Sequence, residues 1–253
     1  AGLSVGTIEG ASFITGLNEK NIGGTGRSLE FLVNTSDSNT AYTIKTKERQ
    51  FLEYDFDAEY GISYVQDDFT QSSSYKLNTL QVSSGIAYDI TDNIAHKFTV
   101  NYELKEYIVS NSSTVSTAIS NSRGTNVGII LQNNLYYNTL NSYLRPTNGN
   151  YLEYLNVLET PSSSNNGLIK NKITFKKFYE VNQDIISIQS MLGNVESLSG
   201  SEILPDDKFS LGGRWLRGFD IYGAGPRKSR NSYVGGKNLA ALKLDYSIEL
   251  LQN

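Results

Sequence analysis

Apolar and polar residues alternate with a period of two along most of the chain. Over 56–65, Phe56, Ala58, Tyr60, Ile62 and Tyr64 alternate with Asp57, Glu59, Gly61 and Ser63. Over 97–105, Phe98, Val100, Tyr102 and Leu104 share one face, while Lys97, Thr99, Asn101, Glu103 and Lys105 share the other. Over 241–250, Leu242, Leu244, Tyr246, Ile248 and Leu250 oppose Lys243, Asp245, Ser247 and Glu249. The pattern recurs near 28–34, 41–47, 80–90, 172–176 and 185–193. Such alternation marks strands with two unlike faces. It predicts about twelve strands, many of roughly 9–11 residues, the length that crosses a bilayer when tilted. No segment of any length carries a helical period and no shift in pattern marks a boundary, so residues 1–253 read as one all-β domain.

The connections are unequal. Segments 21–26 and 91–93 are short, whereas 110–124 and 160–167 are long and rich in Ser and Asn. Short turns on one side and long loops on the other are the layout of a transmembrane antiparallel β-barrel. A soluble β-sandwich also alternates. Against it, the polar faces carry charges inside long strands, and the apolar faces are rich in Tyr and Phe rather than small aliphatic residues.

Composition agrees with the barrel. The chain is 38 % hydrophobic and has no apolar run long enough for a transmembrane helix, but a barrel strand needs only alternate apolar residues. It holds 17 Tyr against 1 Trp, and a ring with a polar tip suits a membrane interface. The absence of cysteine excludes disulfides, thiolate metal sites and cysteine nucleophiles, and is compatible with an envelope compartment. A net charge of -4 gives no basic surface for nucleic acid. The opening Ala1-Gly2-Leu3, without Met or signal peptide, reads as an excised portion of a longer precursor.

From about 194 to 234, a long loop joins two strands. Phe209, Leu211, Trp215, Leu216 and Phe219 make it too apolar for plain disorder, so it is expected to fold back into the barrel. Within it, Gly212-Gly213 precedes Leu216-Arg217-Gly218-Phe219. A guanidinium in a confined lumen needs a carboxylate, because an unpaired buried charge costs several kcal/mol. Asp245 and Glu249, on the polar face of the last strand, are the candidates. The tetrapeptide alone favours a chance match with Arg217 an exposed loop residue. At the other end, Gly2, Gly6 and Gly10 punctuate a first strand with few strong pairing residues, which reads either as a weak edge or as an end that frays.

Catalytic chemistry has little to work with. A Ser-His-Asp triad would rest wholly on His96, and a multi-histidine metal site is impossible. Asp206-Asp207, beside Pro205, reads as a solvated turn. Gly223-Ala224-Gly225-Pro226-Arg227-Lys228 lacks the Lys-Ser/Thr ending and following helix of a phosphate loop. No enzyme, metal or cofactor is expected.

Phe209-Ser210-Leu211-Gly212-Gly213, then Leu216-Arg217-Gly218-Phe219, then Val234-Gly235-Gly236 resemble the signature of the BamA family of outer-membrane β-barrel assembly factors. That motif usually reads Val-Arg-Gly-Phe or Val-Arg-Gly-Tyr, and Leu216 departs from it. Gly6-Thr7-Ile8-Glu9-Gly10 with Asn21-Ile22-Gly23-Gly24-Thr25-Gly26 looks like the family's first strands and their turn. Tyr143-Leu144-Arg145-Pro146-Thr147-Asn148-Gly149 is similar to its Pro-Thr-Asp/Asn-Gly turn. The resemblance implies sixteen strands, so about four further strands and the POTRA domains are expected outside this chain. It implies that Arg217 tips the long extracellular loop and pairs with Asp245, or secondly Glu249, on the inner wall. It implies a lateral gate at the first strand, here Leu3, Ser4, Val5, Gly6, Thr7, Ile8 and Glu9. The implied function is insertion of barrel proteins into the outer membrane of a Gram-negative bacterium, without ATP. Its implied partners are the lipid bilayer, unfolded outer-membrane clients and accessory lipoproteins. A TamA-like factor, a two-partner secretion transporter and a passive porin are the alternatives.

Overall fold

In the computed structural model, the described residues are 1–6, 10–70, 74–109, 115, 117–162, 167–213, 215–219, 223–229 and 232–248. Twelve antiparallel strands form one sheet. They are β1 (Gly2–Gly6), β2 (Gly10–Glu19), β3 (Arg27–Thr35), β4 (Asn39–Glu48), β5 (Asp57–Asp68), β6 (Tyr75–Thr91), β7 (Ile94–Val109), β8 (Gly124–Asn138), β9 (Gly149–Glu159), β10 (Leu168–Val181), β11 (Asp184–Ser197) and, after the long loop, β14 (Asn238–Ser247). Each pairs with its sequence neighbour, and β14 pairs with β11. Inside the loop, β12 (Arg227–Ser229) and β13 (Ser232–Tyr233) make a separate small hairpin.

Register keeps each strand's two residue sets apart. Ile62 stands opposite Ile44 on one side and Val82 on the other, and all three are exposed. Glu103 stands opposite Gln81 and Gly128 on the other face, where it accepts a hydrogen bond from Gln81 Nε2 at 2.6 Å. Leu242 and Leu244 are 76 % and 70 % exposed, while Asn101 and Ser187 are 5 % and 6 % exposed. A water-soluble fold buries its apolar side chains and exposes its charges. This sheet does the reverse, which excludes the sandwich and fits a wall with an apolar outside and a polar inside. The inner charges are paired, Lys47 with Asp57 at 2.7 Å and Lys97 with Glu59.

Two features depart from the sequence reading. β6 and β7 run to 17 and 16 residues, beyond the expected span. On the loop side their inward residues Tyr75, Leu77 and Tyr107 pack with Val115 and Ile119, so burial inside the barrel mouth prolongs the strands. Ile119 belongs to a short helix, α1 (Thr117–Asn121), where the sequence suggested only loop. Five residues are too few to display a helical period, and its burial against the wall supplies what propensity does not.

Candidate functional site

The segment 198–237 lies between β11 and β14, and its described residues 203–209 fold onto the inner wall. Leu204 packs on the Tyr75–Tyr107 cluster. The turn that follows brings Asp206 and Asp207 to Lys105 of β7, with Nζ 3.4 Å from Asp206 Oδ2 and 3.3 Å from Asp207 Oδ1. Tyr107 donates its hydroxyl to Asp206 Oδ2 at 3.0 Å. Lys170 of β10 donates to the Asp207 carbonyl at 2.8 Å and lies over the Phe209 ring. Glu103 Oε2 is 3.8 Å from Lys105, so two ammonium groups face three carboxylates in a space largely closed to solvent. Burial first, and the charge of Asp207 second, push the Asp206 carboxyl above the ordinary carboxylate range. Its Oδ1 is buried with no hydrogen-bond partner among the described residues.

The reading of Asp206-Asp207 as a solvated turn is therefore corrected. These carboxylates anchor the loop, and their partners stand about a hundred positions away in the chain, at Lys105 and Tyr107.

Phe209 forms the second fastening. Its N–H donates to the Gly236 carbonyl at 2.9 Å, and its carbonyl accepts in return from Gly236 N–H at 2.8 Å. Its ring joins Leu168, Val195, Ile203 and Leu239 in a buried cluster. Gly193 of β11 makes room for it, because a Cβ there would come within 2.7 Å of the ring. Gly235 takes φ +69°, a left-handed conformation that glycine adopts without strain, and so turns the chain to meet Phe209. Leu211 and Ala224 then exchange backbone hydrogen bonds at 3.3 and 2.9 Å. The two glycine-rich segments singled out in the sequence are thus the two sides of one loop base.

The tip closes on itself. Gly213 N–H donates to the Phe219 carbonyl at 3.0 Å, and Phe219 N–H to the Leu216 carbonyl at 3.2 Å. Gly212 accepts from Trp215 N–H at 3.2 Å, and Gly218 takes φ +89°. Leu216, Arg217, Gly218 and Phe219 are all exposed. Arg217 makes no ion pair with any described residue, and Asp245, on the inner face opposite Ser187, is held by Lys243 at 2.9 Å. The expected Arg217–Asp245 pair is therefore not formed in this structure. The reasons are local: the tip turn satisfies itself, and a lysine two positions along β14 already neutralises Asp245. Glu249, the second candidate, lies outside the described residues.

β1 pairs with β2 over five residues, from Gly2 opposite Ile14 to Gly6 opposite Gly10, and has no second partner among the described residues. Leu3 is 84 % exposed. Thr7, Ile8 and Glu9 lie outside the described residues.

The Omp85 superfamily domain matches residues 21–253. The chain belongs to this superfamily. Its fold is that of outer-membrane barrels of protein insertion and secretion, found in Gram-negative bacteria and organelles. The Omp85 wall is similar to BamA from Haemophilus ducreyi lacking POTRA domains 1–3, with a TM-score of 0.85, 18 % identity, and cover of 99 % of this chain and 53 % of that one. It is also similar to CdiB from Acinetobacter baumannii, with a TM-score of 0.54, 14 % identity, and cover of 95 % of this chain and 51 % of that one. The chain thus spans about half the length of each. No curated protein matches it by sequence.

In this Omp85 chain the sequence signals pointed to the long loop, while its described contacts with the wall are made by Asp206, Asp207 and Phe209. The glycine-rich motif identified the loop base. The Asp206–Lys105 contact had only a faint trace, two adjacent carboxylates inside an apolar segment and lysines on the inward period of β7 and β10.

Proposed function

We propose that this chain is the barrel of an outer-membrane assembly factor of the BamA kind in a Gram-negative bacterium. Client barrel proteins enter the bilayer beside its first strand. The observation that carries the reading is the open first strand: β1 pairs with β2 through five described residue pairs and has no second partner among the described residues. A short, glycine-bounded edge offers unpaired backbone groups to an incoming strand, which joins by β-augmentation. No nucleotide is needed, because the client gains free energy by closing its own backbone hydrogen bonds in lipid. Accessory lipoproteins belong to the same reading. The loop anchored by Asp206 and Phe209 braces the wall from inside and performs no chemistry. The likeness to BamA over 99 % of the chain supports this assignment.

A two-partner secretion role, a TamA-like role and a passive pore remain separable by one experiment. The full-length protein is depleted in its host and heat-modifiable outer-membrane proteins are quantified. A broad loss of folded barrels is the expected result. Loss of a single secreted protein would establish the transporter instead, and unchanged barrel levels would overturn the assembly role.

A further inference from the structure

A diagonal of asparagines crosses the outer wall. Asn133, Asn156, Asn171, Asn194 and Asn238 stand on β8, β9, β10, β11 and β14, each directly opposite the next in register. All five lie on the outward face, in phase with the exposed Leu135, Tyr154, Ile173, Leu192 and Leu242. Asn133 Nδ2 donates to Asn156 Oδ1 at 3.5 Å, Asn156 Nδ2 to Asn171 Oδ1 at 2.9 Å, and Asn194 Nδ2 to Asn238 Oδ1 at 2.9 Å. Tyr154 donates its hydroxyl to Asn171 Oδ1 at 2.8 Å.

The ladder is broken at its centre. Asn171 and Asn194 face each other across β10 and β11, yet Asn171 Nδ2 and Asn194 Oδ1 have no hydrogen bond to any described residue. One side chain offers amide N–H groups there and the other offers a carbonyl oxygen. Asn171 is three residues from the loop-side end of β10, and Asn194 three from that of β11, so the pair sits roughly 8 Å below the strand ends at the usual rise and tilt. Four strand spacings along a tilted sheet carry the ladder about 12 Å through the membrane's depth. Unsatisfied amides facing hydrocarbon are costly, so polar groups at such a place need a polar partner.

We propose that the Asn171–Asn194 gap binds the headgroup of a membrane lipid, drawn below its usual level along the amide ladder. The unspent donors and acceptor are uncharged and adjacent, which fits a lipid's ester or phosphate oxygens beside a hydroxyl or amine donor. The ladder begins at Asn238, the first residue of β14, so the seam is continuous with the polar rim from which a headgroup descends.

The cysteine-free chain permits clean spin labelling. Ile173→Cys and Leu192→Cys, directly below the gap, are labelled in the protein reconstituted alone in phospholipid vesicles. Ile62→Cys, on the ladder-free part of the wall, is the reference. Relaxation is measured with nickel chelated to a lipid headgroup, with a soluble nickel complex, and with oxygen. Bound headgroups predict relaxation by tethered nickel several-fold stronger at 173 and 192 than at 62, falling to the reference level in Asn171→Leu/Asn194→Leu. Relaxation by soluble nickel alone would mean a water-filled seam and overturn the headgroup assignment. Relaxation by oxygen alone would mean plain hydrocarbon contact and overturn it too. If the double variant fails to fold, the comparison of 173 and 192 with 62 in the otherwise unchanged wall gives the same outcomes.

Discussion

Taking the ammonium from Lys105 would leave the Asp206 and Asp207 carboxylates without their nearest cation, inside a space that water scarcely enters. Removing one partner of such a buried pair costs about 3–5 kcal/mol, and here the cost falls on loop docking. Lys105→Met should therefore release the 198–237 segment to added protease, while Arg217→Ala, at an exposed position with no ion pair to any described residue, should change docking by less than about 0.5 kcal/mol. The reverse ranking would restore Arg217 as the anchor. A pH dependence follows from Asp206, whose carboxyl is raised by burial and by Asp207. A raised acid binds more protons in the docked state than in the undocked one. Docking is thus strongest at and below the ordinary carboxylate range, weakens as pH rises through the raised value, and levels off above it. Trp215, the chain's single tryptophan and part of the loop, reports this by its fluorescence. Asp206→Asn should flatten the profile.

Among the elements, the loop is positioned by what β11 lacks. A side chain at Gly193 would strike a ring already enclosed by Leu168, Val195, Ile203 and Leu239. Gly193→Leu should undock the loop by about 1–3 kcal/mol, the usual cost of overpacking, with the strands themselves intact by circular dichroism. An unchanged loop would mean that the ring is not held where the structure places it. The same level explains what periodicity revealed. Strands such as β5, β7 and β14 were legible because two unlike solvents, lipid outside and a polar lumen inside, act on alternate residues. The extra length of β6 and β7 and the helix α1 were not, because both arise from burial at the barrel mouth. There Tyr75 and Tyr107 meet Val115 and Ile119 across long stretches of chain.

At the scale of the whole molecule, β1 pairs on one side only among the described residues, and the assembly reading depends on its open side. Cysteines placed along Leu3, Ser4 and Val5 should form disulfides with a cysteine-bearing client strand stalled during insertion, in one register. An absence of crosslinks in every register would sink the gate at β1. By itself the sequence determined the inverted wall, the number and direction of its strands, the base of the long loop and the membership in a barrel family. Those features rest on period, turn chemistry and glycines, which act between neighbours in the chain. Tertiary structure alone decided which residues hold the loop. Lys105 and Asp206, or Gly193 and Phe209, meet only once the sheet has curled, and a charge pair across a lumen leaves no periodic trace in either segment. The outward asparagines were decided in the same way. Each is an ordinary polar residue within its own strand, and only the register of five strands turns them into a line.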